Sequence, residues 1–245
     1  MIDPTQVATS LKHFGSDTLT EAAYQALRRD IIYGVRAPGE RLRITRLAQL
    51  YDVGPTPLRE ALQRLSAEGL VMANGNRGFA VMTLDLREFN DLNIARSAVE
   101  REALRLSLIN GDEAWEARVV SAAYRMEKAD ASLSSASPDI DRWESANANF
   151  HYATVSACGS NWLLRLRQNL HDQCERYRRA SVSLRRESRD LRTEHDAILR
   201  AVLARDITAA CELIEVHFGA TAKNLSEDFS PQEAESFNVK GQTIA

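Results

Sequence analysis

Between Thr45 and Val81 the chain passes through two short stretches of helical spacing into one of strand spacing, and few folds accommodate that order. Thr45–Tyr51 reads as a short amphipathic helix that stops near Asp52. After Val53-Gly54, Thr56 is placed to cap a second helix and Pro57 to take its first position, where a missing N–H costs nothing. Leu58, Ala61, Leu62 and Leu65 then recur at helical spacing, and Gly69 closes the element. Leu70-Val71-Met72 and Gly78-Phe79-Ala80-Val81, joined by the turn Asn74-Gly75-Asn76, read as a β-hairpin. An earlier helix starts at Thr18, where Thr18-Leu19-Thr20-Glu21 fits a capping box, and keeps Ala23, Leu27, Ile31 and Ile32 on one face until Gly34. Helix, helix, tight turn, helix, hairpin is the order of a winged helix-turn-helix.

From Leu84 the pattern stays helical to about Leu225, with breaks at Asn110-Gly111-Asp112, Ser134–Pro138, Cys158-Gly159-Ser160, Arg186–Ser188 and Arg205-Asp206. The expected fold is therefore mainly α: a winged helix-turn-helix followed by an all-α antiparallel bundle of about six helices. Residues 1–17 are expected to be a flexible arm, 18–82 the winged domain, 83–225 the helical domain and 226–245 a loose tail. Only 6 prolines and 11 glycines are present, which argues against an all-β architecture. No apolar run approaches the roughly 18 residues a membrane span needs, and the N-terminus carries no apolar signal core. The 3 cysteines form no CxxC pair, so a reducing cytoplasm is expected.

Residues 18–82 hold nine arginines against six acids, a net +3, while residues 83–245 carry a net −5. A basic segment joined to an acidic one suits a nucleic-acid reader with a separate regulatory body. The first turns of a recognition helix face base edges and phosphates, and here they carry Thr56 and Arg59. Arg59 suits a bidentate contact to guanine, and Thr56 a phosphate. Arg64 lies further along that helix, and Arg77 with Gly78 at the wing tip suits the minor groove. Arg46 and Arg29, on the two preceding helices, suit phosphate contacts. Each arginine alone is equally well a solvated helix face; their joint placement within one winged-helix order favours DNA.

In the helical half, Asn147 and His151 are four apart and share a helix face, while His195 and His217 fall on two later helices. If those helices pack together, one amide oxygen and three imidazoles converge, a set that suits zinc or nickel. Taken singly, a histidine on a partly apolar helix face is more often a hydrogen-bonded packing residue than a ligand, and that is the reading given to His13 and His171. Arg96 is a candidate for holding a small carboxylate, or else for an internal ion pair with Glu100; Arg176 and Arg178 are further basic candidates.

The run Pro38-Gly39-Glu40-Arg41-Leu42, then VGPTPLREALQRLSAEGLV at 53–71 and Asn76–Val81, resembles the GntR family of bacterial transcription factors. Many members keep a DNA-contacting arginine where Pro55 stands, which shifts the implied base reading onto Arg59 and Arg77. Residues 86–225 resemble the all-helical FCD effector domain of the FadR-type branch, through Ile94-Ala95-Arg96 with Val99-Glu100, Asn147…Phe150-His151, Glu194-His195…Ile198…Asp206 and His217. Cys158-Gly159-Ser160 followed by Leu163-Leu164 is similar to the carbon-starvation regulator branch, which responds to short dicarboxylates. In metal-binding members an aspartate precedes the first histidine by four residues; Asn147 stands there in this chain. The resemblance implies a cytoplasmic, homodimeric regulator, a repressor, that reads a pseudo-palindromic double-stranded operator and senses a small carboxylate near a divalent metal. Two other functions fit the residues: a metal-dependent hydrolase built on the three histidines, and a metal-free helical interaction protein with a vestigial DNA domain. Against the hydrolase, Glu194 adjoins His195 but leaves the helix in a different direction, so no general base is well placed.

Overall fold

The computed structural model describes residues 19–73, 78–133, 138–181 and 190–228, which divide into two compact units between Asp85 and Leu86. The first unit contains α1 (Leu19–Ile32), β1 (Arg41–Leu42), α2 (Ile44–Tyr51), α3 (Pro55–Ala67), β2 (Val71–Ala73) and β3 (Phe79–Val81). Its core is the inward stripe read from the sequence: Ala23, Leu27 and Ile31 of α1 meet Leu58, Leu62 and Leu65 of α3, with Leu47 and Tyr51 of α2 beside them. Each of these leucines, and Ile31, contributes roughly 1.5–3 kcal/mol by leaving water. The Tyr51 hydroxyl donates to Asp30 Oδ2 at 2.6 Å in the interior, which ties the end of α2 to α1. Burial pushes the Asp30 carboxyl and the Tyr51 phenol above their usual ranges.

Two local features differ from the sequence reading. Gly54, extended at φ −62° and ψ 160°, precedes α3, and Pro55 rather than Pro57 opens it. The pyrrolidine ring of Pro55 already holds a helical φ and gives up an N–H that has no partner in the first turn. Thr56 therefore lies inside the helix instead of capping it. The second difference is β1, which pairs antiparallel with β3 and makes a three-stranded sheet in the order β1-β3-β2. A strand of two residues leaves no periodicity to read. The proposed cap at Thr18 and the turn at Asn74-Gly75-Asn76 lie outside the described residues.

The second unit is the antiparallel helical bundle: α4 (Leu86–Asn110), α5 (Glu113–Ser132), α6 (Ile140–Val155), α7 (Asn161–Ser181), α8 (Leu191–Leu203) and α9 (Ile207–Asp228). Helices α5, α6 and α8 start on Asp112, Asp139 and Asp190, each accepting an N–H of the first turn. Helix α4 packs on α7 and α9, α5 on α6 and α8, and α8 on α9. Trp115, Met126, Phe150, Val202 and Phe218 fill the centre, and Trp115 Nε1 donates to the Ala153 carbonyl at 2.8 Å. At one end, Arg205 follows α8 with a left-handed φ of 55°. Its guanidinium donates to the carbonyls of Leu108 and Gly111 at 2.8 Å, pairs with Glu116 and stacks on Trp115, so the α8–α9 turn is clasped to the α4–α5 turn. Among the described residues no helix is long and apolar enough to cross a membrane.

Candidate functional site

The arginines of the winged unit fall into two groups. Arg59 on α3 and Arg46 on α2 are exposed and have no hydrogen-bond or ion-pair partner among the described residues. Thr56 is exposed one turn before Arg59. No side chain caps α3; Pro55 and Pro57 carry no N–H and that of Leu58 bonds the Gly54 carbonyl, so Thr56 alone among the first three residues has an N–H to offer, at a helix end whose dipole favours an anion. Arg64 is different: it pairs with Glu21 at 2.6 Å and covers the Tyr24 ring at 3.9 Å, so it fastens α3 to α1. Arg29 lies 3.7 Å from Asp30. Gly78 precedes β3 with φ 86°, a conformation that favours glycine, while Arg77 lies outside the described residues. Arg41 and Arg43 were not singled out by the sequence reading, yet both are exposed beside the start of α2 and have no hydrogen-bond or ion-pair partner among the described residues.

In the helical unit, α6, α8 and α9 bring His151, His195 and His217 together. One ligating nitrogen from each lies within 4.8 Å of the others, and all three side chains are buried. Phe150 and Phe218 flank the imidazoles at ring-centroid distances of 5.4 and 5.3 Å. Asn147 is buried one turn before His151 on α6. His195 Nε2 and both nitrogens of His151 have no hydrogen-bond partner among the described residues. Buried nitrogens of this kind cost free energy unless a partner arrives. Tetrahedral coordination at about 2.0–2.1 Å separates ligand nitrogens by roughly 3.4 Å, a rotamer-scale adjustment from this arrangement. The residues fit a divalent metal.

The other ring nitrogens are held. His195 Nδ1 lies 2.7 Å from Asp130 Oδ2, and Trp143 Nε1 donates to the remaining Asp130 oxygen at 2.8 Å. His217 Nδ1 lies 2.8 Å from Glu194 Oε2. Glu194 is thus committed to a histidine and is not aimed at a reacting centre. A cavity of about 650 Å³ between α5 and α8, lined by Val120, Tyr124, Glu127 and Leu199, reaches Asp130 and His195 from the outside.

Arg96 and Arg167 stand next to the cluster, on α4 and α7. Arg96 is 3% exposed, stacks on Phe218 at 3.8 Å, and lies 3.5 Å from Glu100 Oε1 and 3.4 Å from His171 Nδ1. Arg167 is 1% exposed and lies 3.1 Å from the same Glu100 oxygen. Two guanidiniums therefore share one buried carboxylate. The Nε and one terminal nitrogen of Arg167 form no hydrogen bond among the described residues. The sequence reading missed Arg167; its signal is a charge on the stripe of Leu163 and Leu164 at helical spacing. Arg178, by contrast, grips Glu144 through three contacts of 2.8–3.2 Å. Burial works against its charge, but Glu144 outweighs burial and raises its pKa. Arg176 donates to Gln173, and Tyr177 and Glu88 are the groups whose charge it feels. Of the three arginines proposed from the sequence, Arg96 alone borders the histidines.

Burial, then the charges of His217 and His195, push His151 well below the usual imidazole range. The folded protein thus refuses a proton that the unfolded chain accepts below about pH 6.5. Stability from the neutral ring is complete above that pH and is lost as pH falls toward the depressed folded value. With a chelator present, the melting temperature is expected to drop between pH 7 and 5, and less steeply in His151→Gln; equal slopes would contradict this.

Residues 19–81 match the family described as bacterial regulatory proteins, gntR family, and residues 91–220 match the FCD domain. The chain is 42% identical over 201 residues to BphR of Paraburkholderia xenovorans strain LB400, an uncharacterized HTH-type transcriptional regulator, covering 82% of each. It is 36% identical over 198 residues to the HTH-type transcriptional repressor GlaR of Escherichia coli K12, covering 79% of this chain and 90% of that one. Among solved structures it is similar to Escherichia coli McbR/YncC, with a TM-score of 0.74 over 88% of this chain and 100% of the other; at 19% identity that likeness is one of fold.

Proposed function

The chain belongs to the GntR family and carries an FCD domain, so it is a DNA-binding transcriptional regulator and not an enzyme; from this we propose a ligand-gated, dimeric repressor of the cytoplasm. The observation that carries the ligand reading is the pairing of Arg96 and Arg167 on the single carboxylate of Glu100 beside the histidine cluster. Two buried cations against one buried anion leave a positive charge uncompensated, which is costly unless an anion completes the set. A small mono- or dicarboxylate matches that charge, and a guanidinium can bind it through two parallel hydrogen bonds.

His151, His195 and His217 would hold a divalent metal, with Asn147 as an amide oxygen at the edge of the set. A metal held by three imidazoles offers open coordination positions to an oxygen ligand. Arg96 and Arg167 orient the carboxylate, and Phe218 and Phe150 keep water from the site. The proposed response is a population shift: a carboxylate that fits one arrangement of α4, α7 and α9 better than another biases the protein toward it. In the winged unit, Arg59 reads a base in the major groove, Thr56 and Arg46 contact phosphate, and a two-fold dimer reads an inverted repeat. Repression is supported by the repressor GlaR among the relatives.

Operator selection from random duplexes, followed by binding at fixed salt with and without a panel of short carboxylates, tests this reading. One class of carboxylate is expected both to raise the melting temperature and to weaken operator binding. A protein that selects no sequence, or whose DNA affinity is indifferent to every carboxylate that stabilises it, would overturn it.

A further inference from the structure

We infer that Asp130, anchored by Trp143, is the positioning residue that turns His195 into a metal ligand, and that Asp130 and Glu194 supply from outside the ligand shell the charge that Asn147 does not. The inference rests on the metal reading above and adds residues that bind no metal themselves.

The argument starts from hydrogen-bond chemistry. An ionised carboxylate only accepts, so a nitrogen 2.7 Å from Asp130 Oδ2 must donate, and the proton of His195 sits on Nδ1. The lone pair is then on Nε2, the buried nitrogen that has no partner among the described residues and belongs to the three-histidine cluster. Without Asp130 either tautomer is open to the ring, and the Nε2–H form cannot ligate. Asp130 is itself held. Its second oxygen accepts from Trp143 Nε1 at 2.8 Å, so the carboxylate is fixed from α6 while it serves a histidine on α8. The 2.8 Å contact between Glu194 and His217 repeats the device on the third helix.

Charge points the same way. A divalent cation among three neutral imidazoles and one amide keeps both its positive charges, in a site whose histidines are 1–6% exposed. Arg96 and Arg167 lie near enough to act on His151, which worsens the imbalance. Asp130 and Glu194 bring two negative charges to the far side of two of the ligands and offset the metal's two. Outer carboxylates of this kind raise ligand basicity and typically change metal affinity 10–100-fold.

The test compares zinc affinity, by competition with a chromophoric chelator, in wild type, Asp130→Asn, Asn147→Asp and the double variant. Asp130→Asn keeps the shape but presents an amide that can donate to Nδ1. Its affinity is expected to fall roughly 10- to 100-fold. Asn147→Asp is expected to tighten binding in the wild-type background and to recover most of the loss in the double variant. Long-range nitrogen–proton spectra of the metal-free proteins give a readout free of zinc: His195 is expected as the Nδ1–H tautomer in wild type and as Nε2–H in Asp130→Asn. If Asp130→Asn fails to fold, Trp143→Phe removes the anchor and keeps the carboxylate, with a smaller loss expected. A wild type that loads no zinc overturns the metal reading itself. A wild type that loads zinc, with Asp130→Asn matching it in affinity and tautomer, overturns this inference alone.

Discussion

Arg59→Ala is expected to lose at least roughly 30-fold in affinity for a selected operator while its weak binding to unrelated DNA changes little. Arg59 is exposed on α3, just past a helix start with no side-chain cap, and no acid in the described structure competes for it. A bidentate arginine–guanine contact contributes about 1–3 kcal/mol of discrimination, and each half-site of a dimer would lose one. The control is Arg64→Ala on the same helix. Arg64 is engaged with Glu21 and Tyr24, so its loss is expected to loosen α1 against α3 and to leave the preferred sequence unchanged. The measurement is a binding titration at fixed salt against the selected operator and single-base variants of it. Unchanged selectivity in Arg59→Ala would remove Arg59 from the reading set.

Arg167→Met and Glu100→Gln are expected to move the protein in opposite directions. Arg96, Arg167 and Glu100 are 3%, 1% and 1% exposed, so water screens them little. Removing the Glu100 charge leaves two buried guanidiniums facing each other, and loss of a buried partner typically costs about 3–5 kcal/mol. Glu100→Gln is therefore expected to melt well below wild type, and added carboxylates are expected to restore it more than they stabilise wild type. Arg167→Met leaves Arg96 and Glu100 as a balanced pair. It is expected to hold or gain stability and to lose its thermal response to carboxylates. A calorimetric series with and without acetate and succinate checks both; a Glu100→Gln protein as stable as wild type would refute the charge argument.

Much of the fold was legible because helical stripes and turn residues act locally. The Leu58–Leu65 stripe and the breaks at Asn110–Asp112 and Arg205-Asp206 all appear where the sequence puts them. What escaped was either too short or too distant. β1 has two residues, and the helix start moved to Pro55 because a proline ring and an extended glycine outweigh a threonine hydroxyl. In the site, the three histidines could be proposed together once three helices were allowed to meet. The residues that give them meaning could not. Asp130 is 65 residues from His195, and Arg167 meets Glu100 from another helix, so neither pairing leaves a spacing to read. Arg178 shows the reverse: the sequence offers it as a further basic candidate beside Arg96, and Glu144 has claimed it.

The backbone at residue 205 is the kind on which consensus engineering would place glycine, since a left-handed φ after a helix is what glycine adopts without strain. A designer scoring backbone fit alone would credit glycine with roughly 1–2 kcal/mol there. The same edit would strip the carbonyls of Leu108 and Gly111 of their donor and uncover the face of Trp115. Residue 205 is thus a position where a locally better choice is a globally worse one, and where automated stabilisation of this chain would go astray.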